Sequence, residues 1–444
     1  MAQRNKPINP ARVMSVGFVG LILLGSLLLS LPQAHNAESI AYMDALFTSA
    51  SAVCVTGLVV LDTGTFYSTF GQSVIMVLIF IGSLGFMTMT TMIFVFLGRR
   101  ISLVNRLIIK DTLNQDSLGG TIALVKAIAT IALTLILVGT VIISFRFVPD
   151  MGFKEGLFYA LFHAISSFGN AGFDLFGNFT SLTEAPTDYL VNGTIMGLFI
   201  IGGLGFTVIL EVLQRVFRGK RLSLHSRMVI IITIILILFG TTAVLISEYK
   251  NPATMGELTL GGRVFASLFT ASTPRTAGFS ITDTSQLYDH TLIILMVLMF
   301  IGASPTSTGG GIKTTTVGII LFNFFSLISG RKSAVIFRKR LPDMLFMKAV
   351  SIVIAAVSLV LICTFVLTFF EDESFIALLF EAISAFATVG LSRGITPDLS
   401  NISKAILIVT MLGGRIGPLS LFVALTRQKR EEVLQYPEEN ILIG

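Results

Sequence analysis

Apolar residues come along this chain in runs of two lengths. Eight runs are long enough to cross a bilayer, which takes about 20 residues. They cover 13–31, 73–98, 121–147, 190–217, 228–247, 290–328, 347–370 and 403–426. Between the members of each pair lies a shorter apolar segment, at 39–54, 155–168, 262–273 and 374–386. These are too short to span and are predicted to be re-entrant half-helices. Several open on an acidic or small polar residue (Glu38 and Ser39, Glu155 and Gly156, Ser374), which a helix N-terminus favours. The predicted fold is all-α and polytopic. It has four repeats of spanning helix, half-helix and spanning helix (M1–P–M2), over 1–105, 106–222, 223–335 and 336–430, with a tail at 431–444.

Each half-helix runs into a related tetrapeptide. The four read Val55-Thr56-Gly57-Leu58, Asn170-Ala171-Gly172-Phe173, Thr276-Ala277-Gly278-Phe279 and Thr388-Val389-Gly390-Leu391. Gly57, Gly172 and Gly390 follow Phe47, Phe162 and Phe380 by ten residues, and Gly278 follows Phe269 by nine. The second helices repeat as well: 81–86 reads IGSLGF and 201–206 reads IGGLGF, with Ile301-Gly302-Ala303-Ser304 and Leu412-Gly413-Gly414-Arg415 in the same place. Repetition on this scale outweighs any single motif. The plain alternative for the second-helix glycines is close helix packing in lipid.

Composition and charge narrow the class. The chain is 53% hydrophobic and 13% charged, about half the charge of a soluble domain. Its +6 net charge is no nucleic-acid signal, because the basic residues concentrate at 4–12, 99–126, 215–227, 331–348 and 427–430. The intervening loops are acidic or near neutral. The positive-inside rule therefore puts both termini and the basic loops in the cytoplasm, where they also suit anionic lipid headgroups. Cys54 and Cys363 lie in apolar runs, and the four histidines show no ligand spacing, so no disulfide framework or metal centre is expected. No catalytic constellation is visible, and an enzyme is not expected.

Four half-helices, each followed by a glycine turn, suit a pore. Non-helical backbone at membrane depth is tolerated only where protein buries it or water reaches it. Each glycine lets the chain turn so that carbonyls of Val55, Thr56, Gly57, Asn170, Ala171, Gly172, Thr276, Ala277, Gly278, Thr388, Val389 and Gly390 can face one axis. Such carbonyls replace the hydration shell of a potassium ion, and the carbonyl ends of the half-helices favour a cation.

Thr388-Val389-Gly390 looks like the Thr-Val-Gly filter core of potassium channels. The set of four, each with a single glycine, resembles the Ktr/Trk/HKT superfamily of potassium uptake proteins over about residues 13–426. Within it the chain is similar to the membrane subunits of Ktr systems (KtrB type), whose eight helices match the eight runs. The resemblance implies four repeats in pseudo-fourfold array around a central pore in the plasma membrane. It implies K+ in the filter with Na+ as the rival ion, and preference for K+ because Gly57 stands where sodium-transporting HKT relatives have serine. Filters one to three depart from Thr-Val-Gly, which implies looser coordination. It further implies a homodimer and a cytosolic ring of RCK/KTN-type regulatory subunits, which would carry ATP/ADP or NAD(H), with no cofactor in this chain.

Two features point to gating. The third M2 is interrupted at 302–316, where Pro305 and three glycines (Gly309, Gly310, Gly311) cannot hold a helix. In the superfamily the corresponding segment is an intramembrane gate, expected here at 304–316 with Lys313; the alternative is a passive kink whose lysine snorkels. A nucleotide loop is excluded, since Ile312 separates Gly311 from Lys313 and no strand precedes. Arg415 lies midway along the last helix, aligned with Leu84, Leu204 and Ser304. An arginine there costs about 2.5–3.5 kcal/mol and needs a cavity or polar partner. It is expected to be an electrostatic barrier, or else a tie to backbone carbonyls. Asp62, Asp174, Asp283 and Asp398 follow the filters and would concentrate cations if they face the entrance. The expected function is gated potassium uptake; the alternative is a potassium/sodium cotransporter. Carriers usually show inverted repeats and midplane ionisable groups, whereas these repeats are parallel.

Overall fold

The computed structural model describes residues 10–37, 39–85, 121–330, 335–337 and 339–417. The first repeat contributes α1 (Pro10–Leu29), α2 (Tyr42–Cys54) and α3 (Thr69–Leu84). The second contributes α4 (Thr121–Met151), α5 (Phe153–Gly169), α6 (Tyr189–Leu204) and α7 (Phe206–Arg218). The third has α8 (Leu224–Glu248), α9 (Leu260–Ser272), α10 (Asp289–Phe300) and α11 (Thr314–Ile328). The fourth has α12 (Asp343–Leu367), α13 (Phe375–Ala387) and α14 (Asn401–Ile416). A two-stranded ribbon, β1 (Val335–Ile336) and β2 (Lys339–Arg340), joins the last two repeats. Its Ile336 packs with Met228 and Leu341.

Among the described residues, α1, α4, α8 and α12 are long and apolar enough to cross a membrane. Their apolar side chains mostly face outward. On α8, Ile234, Ile235, Leu238, Phe239 and Ile246 are all exposed, as expected where hydrocarbon is the solvent. The buried centre is made instead by the half-helices α2, α5, α9 and α13. The four matched phenylalanines, Phe47, Phe162, Phe269 and Phe380, are each 0% exposed.

Since lipid tails are as apolar as leucine, helices in a bilayer associate through close fit rather than apolar burial. The fit is repeated here. A Cβ added to Gly25, Gly139 or Gly240 in the first helices would come within 2.6, 2.6 or 2.8 Å of Cδ1 of Leu78, Leu198 or Leu298 in the second helices. Every half-helix packs on its own repeat's first helix and on the second helix of the preceding repeat: α5 on α3, α9 on α6, α13 on α10, and α2 on α14. The last pairing closes the circle. It also carries an ion pair, Lys404 Nζ to Asp44 Oδ1 at 2.8 Å.

The second helices are less continuous than the apolar runs predict. The run at 190–217 is two helices, α6 and α7, bent by 101° at Gly205, whose φ is +95°. Gly85 and Gly417 end α3 and α14 in nearly the same conformation, φ +82° and +96°. The remainders of the runs at 73–98 and 403–426 lie outside the described residues. In the third repeat the break is a loop at 301–313. Residues 314–316, expected in the gate, already belong to α11.

Candidate functional site

Three half-helices end alike. The N–H groups of Thr56, Ala171 and Val389 donate to the carbonyls of Ser51, Ser166 and Ser384 at 2.8, 2.8 and 2.9 Å. The residue before each (Val55, Asn170, Thr388) is left-handed, with φ of 59°, 59° and 52°. This is a Schellman helix end without its usual glycine. In the third repeat α9 stops earlier, the chain turns through 273–275, and Thr276 takes φ 67°. Val55, Thr276 and Thr388 are β-branched, for which this conformation is an outlier costing about 1–2 kcal/mol each. Strain held by its surroundings is characteristic of functional sites. Two residues further on, Gly57, Gly172, Gly278 and Gly390 take φ of 89°, 70°, 79° and 94°.

The four turns meet in one closed ring. A Cβ on Gly57 would come within 2.4 Å of the Ala171 carbonyl oxygen, and one on Gly172 within 2.8 Å of that of Ala277. One on Gly278 would come within 2.4 Å of the Val389 oxygen, and one on Gly390 within 2.3 Å of that of Thr56. The contacts run from repeat one through four and back to one, so the four predicted tripeptides surround a single axis. Four hydroxyls brace the turns, and the sequence reading missed them. Ser51 and Ser384 Oγ accept from the N–H of Gly57 and Gly390 at 3.0 and 3.1 Å. Ser166 Oγ and Thr273 Oγ1 donate to the carbonyls of Phe173 and Phe279 at 2.6 Å. Their signal is a hydroxyl residue six positions before the glycine, five in the third repeat.

On one side the glycine ring floors a cavity of about 430 Å³, lined by the loops that follow the filters, including Asp62, Asp174 and Asp283. These carboxylates also build the loops. Asp62 accepts from Thr65 N–H at 2.8 Å and Phe179 N–H at 2.8 Å, and Asp283 from Ser285 N–H at 2.9 Å. Burial pushes the Asp174 carboxyl up to about 7, against the Phe176 N–H it accepts, with the charge of nearby Asp62 adding to the rise. Arg393 lines the cavity as well.

On the other side lies the loop 301–313. A Cβ on Gly309 would come within 1.9 Å of Thr276 Oγ1, and one on Gly310 within 2.4 Å of Thr388 Oγ1. Thr308 Oγ1 donates to Asn170 Oδ1 at 2.7 Å. Asn170 Nδ2 in turn donates to Arg275 O at 3.3 Å and Thr276 Oγ1 at 3.4 Å. The loop therefore sits directly beneath the second, third and fourth turns. It also completes the broken second repeat. Ser304 and Thr308 N–H donate to the carbonyls of Gly203 and Gly202 at the end of α6, and Phe206 N–H, opening α7, donates to Thr306 O at 3.0 Å. Lys313 does not snorkel: its Nζ folds back onto Gly309 O at 2.8 Å and Gly310 O at 3.3 Å. Gly311 is the turn, at φ 67°, against Ala387, the last residue of α13.

Arg415 is a tie across three repeats. Its Nη1 donates to Thr308 O in the loop, and its Nη2 to Gly82 O and Ser83 O at the end of α3. The expected alignment is corrected here by one residue. A Cβ on Gly82, Gly202 or Gly414 would strike the carbonyl oxygen of Val53, Phe168 or Phe386, at 2.2, 2.2 and 1.6 Å, and each helix breaks three residues later. Gly414 thus matches Gly82 and Gly202, and Arg415 stands opposite Ser83 and Gly203 rather than Leu84 and Leu204. Arg275, not singled out in the sequence, immediately precedes the third turn. It is buried, with Nη1 lacking a partner among the described residues.

The chain matches the family described as TrkH, cation transport protein, over residues 14–433. It is 42% identical to the Ktr system potassium uptake protein B of Bacillus subtilis (strain 168), covering 98% of this chain and 97% of that protein. The protein of the same name from Vibrio alginolyticus is 41% identical, covering 98% and 94%. The potassium/sodium uptake protein NtpJ of Enterococcus hirae is 37% identical, covering 99% and 98%. The crystal structure of the potassium transporter TrkH from Vibrio parahaemolyticus shares the fold, with a TM-score of 0.75 over 96% of this chain and 87% of that one, at 19% identity.

Proposed function

The chain belongs to the TrkH family of cation transport proteins, and from that premise we propose that it takes up potassium through the ring of four glycine turns. The observation that carries this reading is the closure of that ring between a cavity on one side and the loop 301–313 on the other. Along that path the ion meets backbone oxygens, chiefly those of Thr56, Ala171, Ala277 and Val389, in place of water. The ends of α2, α5, α9 and α13 add partial negative charge. Asp62 and Asp283 raise the cation concentration at the entrance. The loop is the gate: with Gly309 and Gly310 against filter hydroxyls and Arg415 fastened to Thr308, it closes the path below the filter. The word system in the names of the Ktr relatives supports a partner subunit; we read that partner as a cytosolic nucleotide-binding ring of the RCK/KTN kind, acting on a homodimer of this chain.

Rubidium uptake into proteoliposomes tests the assignment. Potassium should compete with rubidium far better than sodium does; equal competition would overturn it. The second reading, potassium/sodium cotransport, is favoured by the name of the NtpJ relative. It requires that an imposed sodium gradient drive rubidium uphill, whereas a pore lets rubidium follow only its own electrochemical gradient.

A further inference from the structure

We propose that α7 is an interfacial helix that binds anionic lipid headgroups and reports on them to the loop 301–313. Its placement follows from its neighbours. Helix α6, with 16 residues, is about 24 Å long at 1.5 Å per residue, somewhat short of a hydrocarbon core of about 30 Å. At its end the chain turns by 101° into α7. Only 219–223 then separate α7 from α8, a full span of 25 residues. A helix set across the end of α6 and beside the start of a spanning helix lies along the membrane surface.

The side chains of α7 suit that place. Phe206, Ile209, Leu213, Val216 and Phe217 share one helix face. The first two are buried in the protein, while Leu213, Val216 and Phe217 are 38%, 71% and 80% exposed. The apolar stripe thus runs off the protein and continues outward. Arg215 and Arg218 lie on the opposite face, Lys220 and Arg221 follow, and all four are exposed. An apolar face beneath a basic one matches acyl chains below anionic headgroups. The acid on this helix, Glu211, is engaged by Ser223 N–H at 2.9 Å. The inner end of the same helix is bonded to the loop, through Phe206 N–H to Thr306 O at 3.0 Å and through the Thr207 and Thr306 hydroxyls at 3.2 Å. Tilting α7 at the membrane surface therefore pulls on Thr306.

The chain has no tryptophan, so Phe217→Trp installs a single reporter on the exposed stripe. The full-length variant is reconstituted in mixed phosphatidylglycerol–phosphatidylcholine vesicles, with bromine on the acyl chains of one lipid or the other. Stronger quenching by brominated phosphatidylglycerol is expected. Adding Arg215→Gln and Arg218→Gln should reduce that preference by about fivefold per charge, equivalent to ~1 kcal/mol each. A tryptophan open to aqueous iodide but not to bromine, or shielded from both as a docked protein would leave it, overturns lipid binding. The link to the loop rests on the transport reading and has its own arm. Rubidium uptake should differ between vesicles with and without phosphatidylglycerol, and Thr207→Val should weaken that difference. Equal uptake in the two lipids overturns the link while leaving the quenching result intact.

Discussion

Replacing Arg415 distinguishes a mechanical latch from an electrostatic barrier. The guanidinium holds three carbonyls at once, that of Thr308 in the loop and those of Gly82 and Ser83 at the end of α3. A hydrogen bond from a charged donor contributes about 1.5–3 kcal/mol. Arg415→Gln keeps an amide that can satisfy one acceptor, so the closed loop loses about 2 kcal/mol relative to the released one. That shifts the ratio of open to closed by roughly thirtyfold, and basal rubidium uptake should rise accordingly. Glutamine also removes the charge, so it cannot separate the two mechanisms alone. Arg415→Lys can: it keeps the charge but lacks the planar fork that bridges loop and helix. A latch predicts raised basal uptake in both variants, whereas a pure barrier predicts it in glutamine only. Uptake per folded molecule, normalised to protein recovered from the membrane, is the measurement. Wild-type basal uptake in both folded variants would refute the latch and the barrier together.

The ring, the loop and the closure between first and last repeats each give a further expectation. Gly390→Ala should abolish most rubidium uptake, because its Cβ would meet Thr56 O at 2.3 Å on a backbone already at φ 94°. Gly152→Ala, at φ 84° with nothing within 4 Å, imposes similar strain without the clash and should keep its uptake. Deleting 309–314 should raise basal uptake in protein that still folds; unchanged uptake would count against the gate. Lys404→Gln leaves Asp44 unpaired where the two side chains are only 10% and 18% exposed. Thermal stability in detergent should fall, by up to about 3 kcal/mol, and partly recover in the double variant with Asp44→Asn.

The half-helices were legible because two independent signals coincide in each, an apolar run too short to span and a phenylalanine nine or ten residues before a glycine. Their bounds in the structure differ from the predicted ones by no more than three residues, as with Tyr42–Cys54 against 39–54. The break in the third repeat was legible in Pro305 and its glycines, but those in the other second helices were not, since the sequence stays apolar across Gly85 and Gly205 and only the sign of φ changes. One clue was available. A continuous helix over 190–217 would be about 42 Å long, well beyond a hydrocarbon core of about 30 Å, and the bend shortens the span. The left-handed residues were hidden for a different reason. Val55, Thr276 and Thr388 have side chains that disfavour that conformation, so local preference pointed away from what the surroundings impose.

What departs from fourfold repetition follows from the breaks. A helix that stops at membrane depth leaves up to four carbonyls without partners, and hydrocarbon offers none. At the end of α3 those of Gly82 and Ser83 are taken by Arg415. At the end of α6 those of Gly202 and Gly203 are taken by Thr308 and Ser304 of the loop. The arginine and the interrupted third helix are thus two answers to one problem, and both partners meet at Thr308. Neither set of bonds could be derived from local pattern, because they join positions about a hundred or several hundred residues apart. The same accounting constrains opening. If the loop moves away, the α6 carbonyls lose their donors, a cost of about 1–3 kcal/mol for each group left buried. On the gating reading, water must therefore reach the end of α6 as the loop leaves, so that the hydrated path an ion needs would form in the same step that releases the loop.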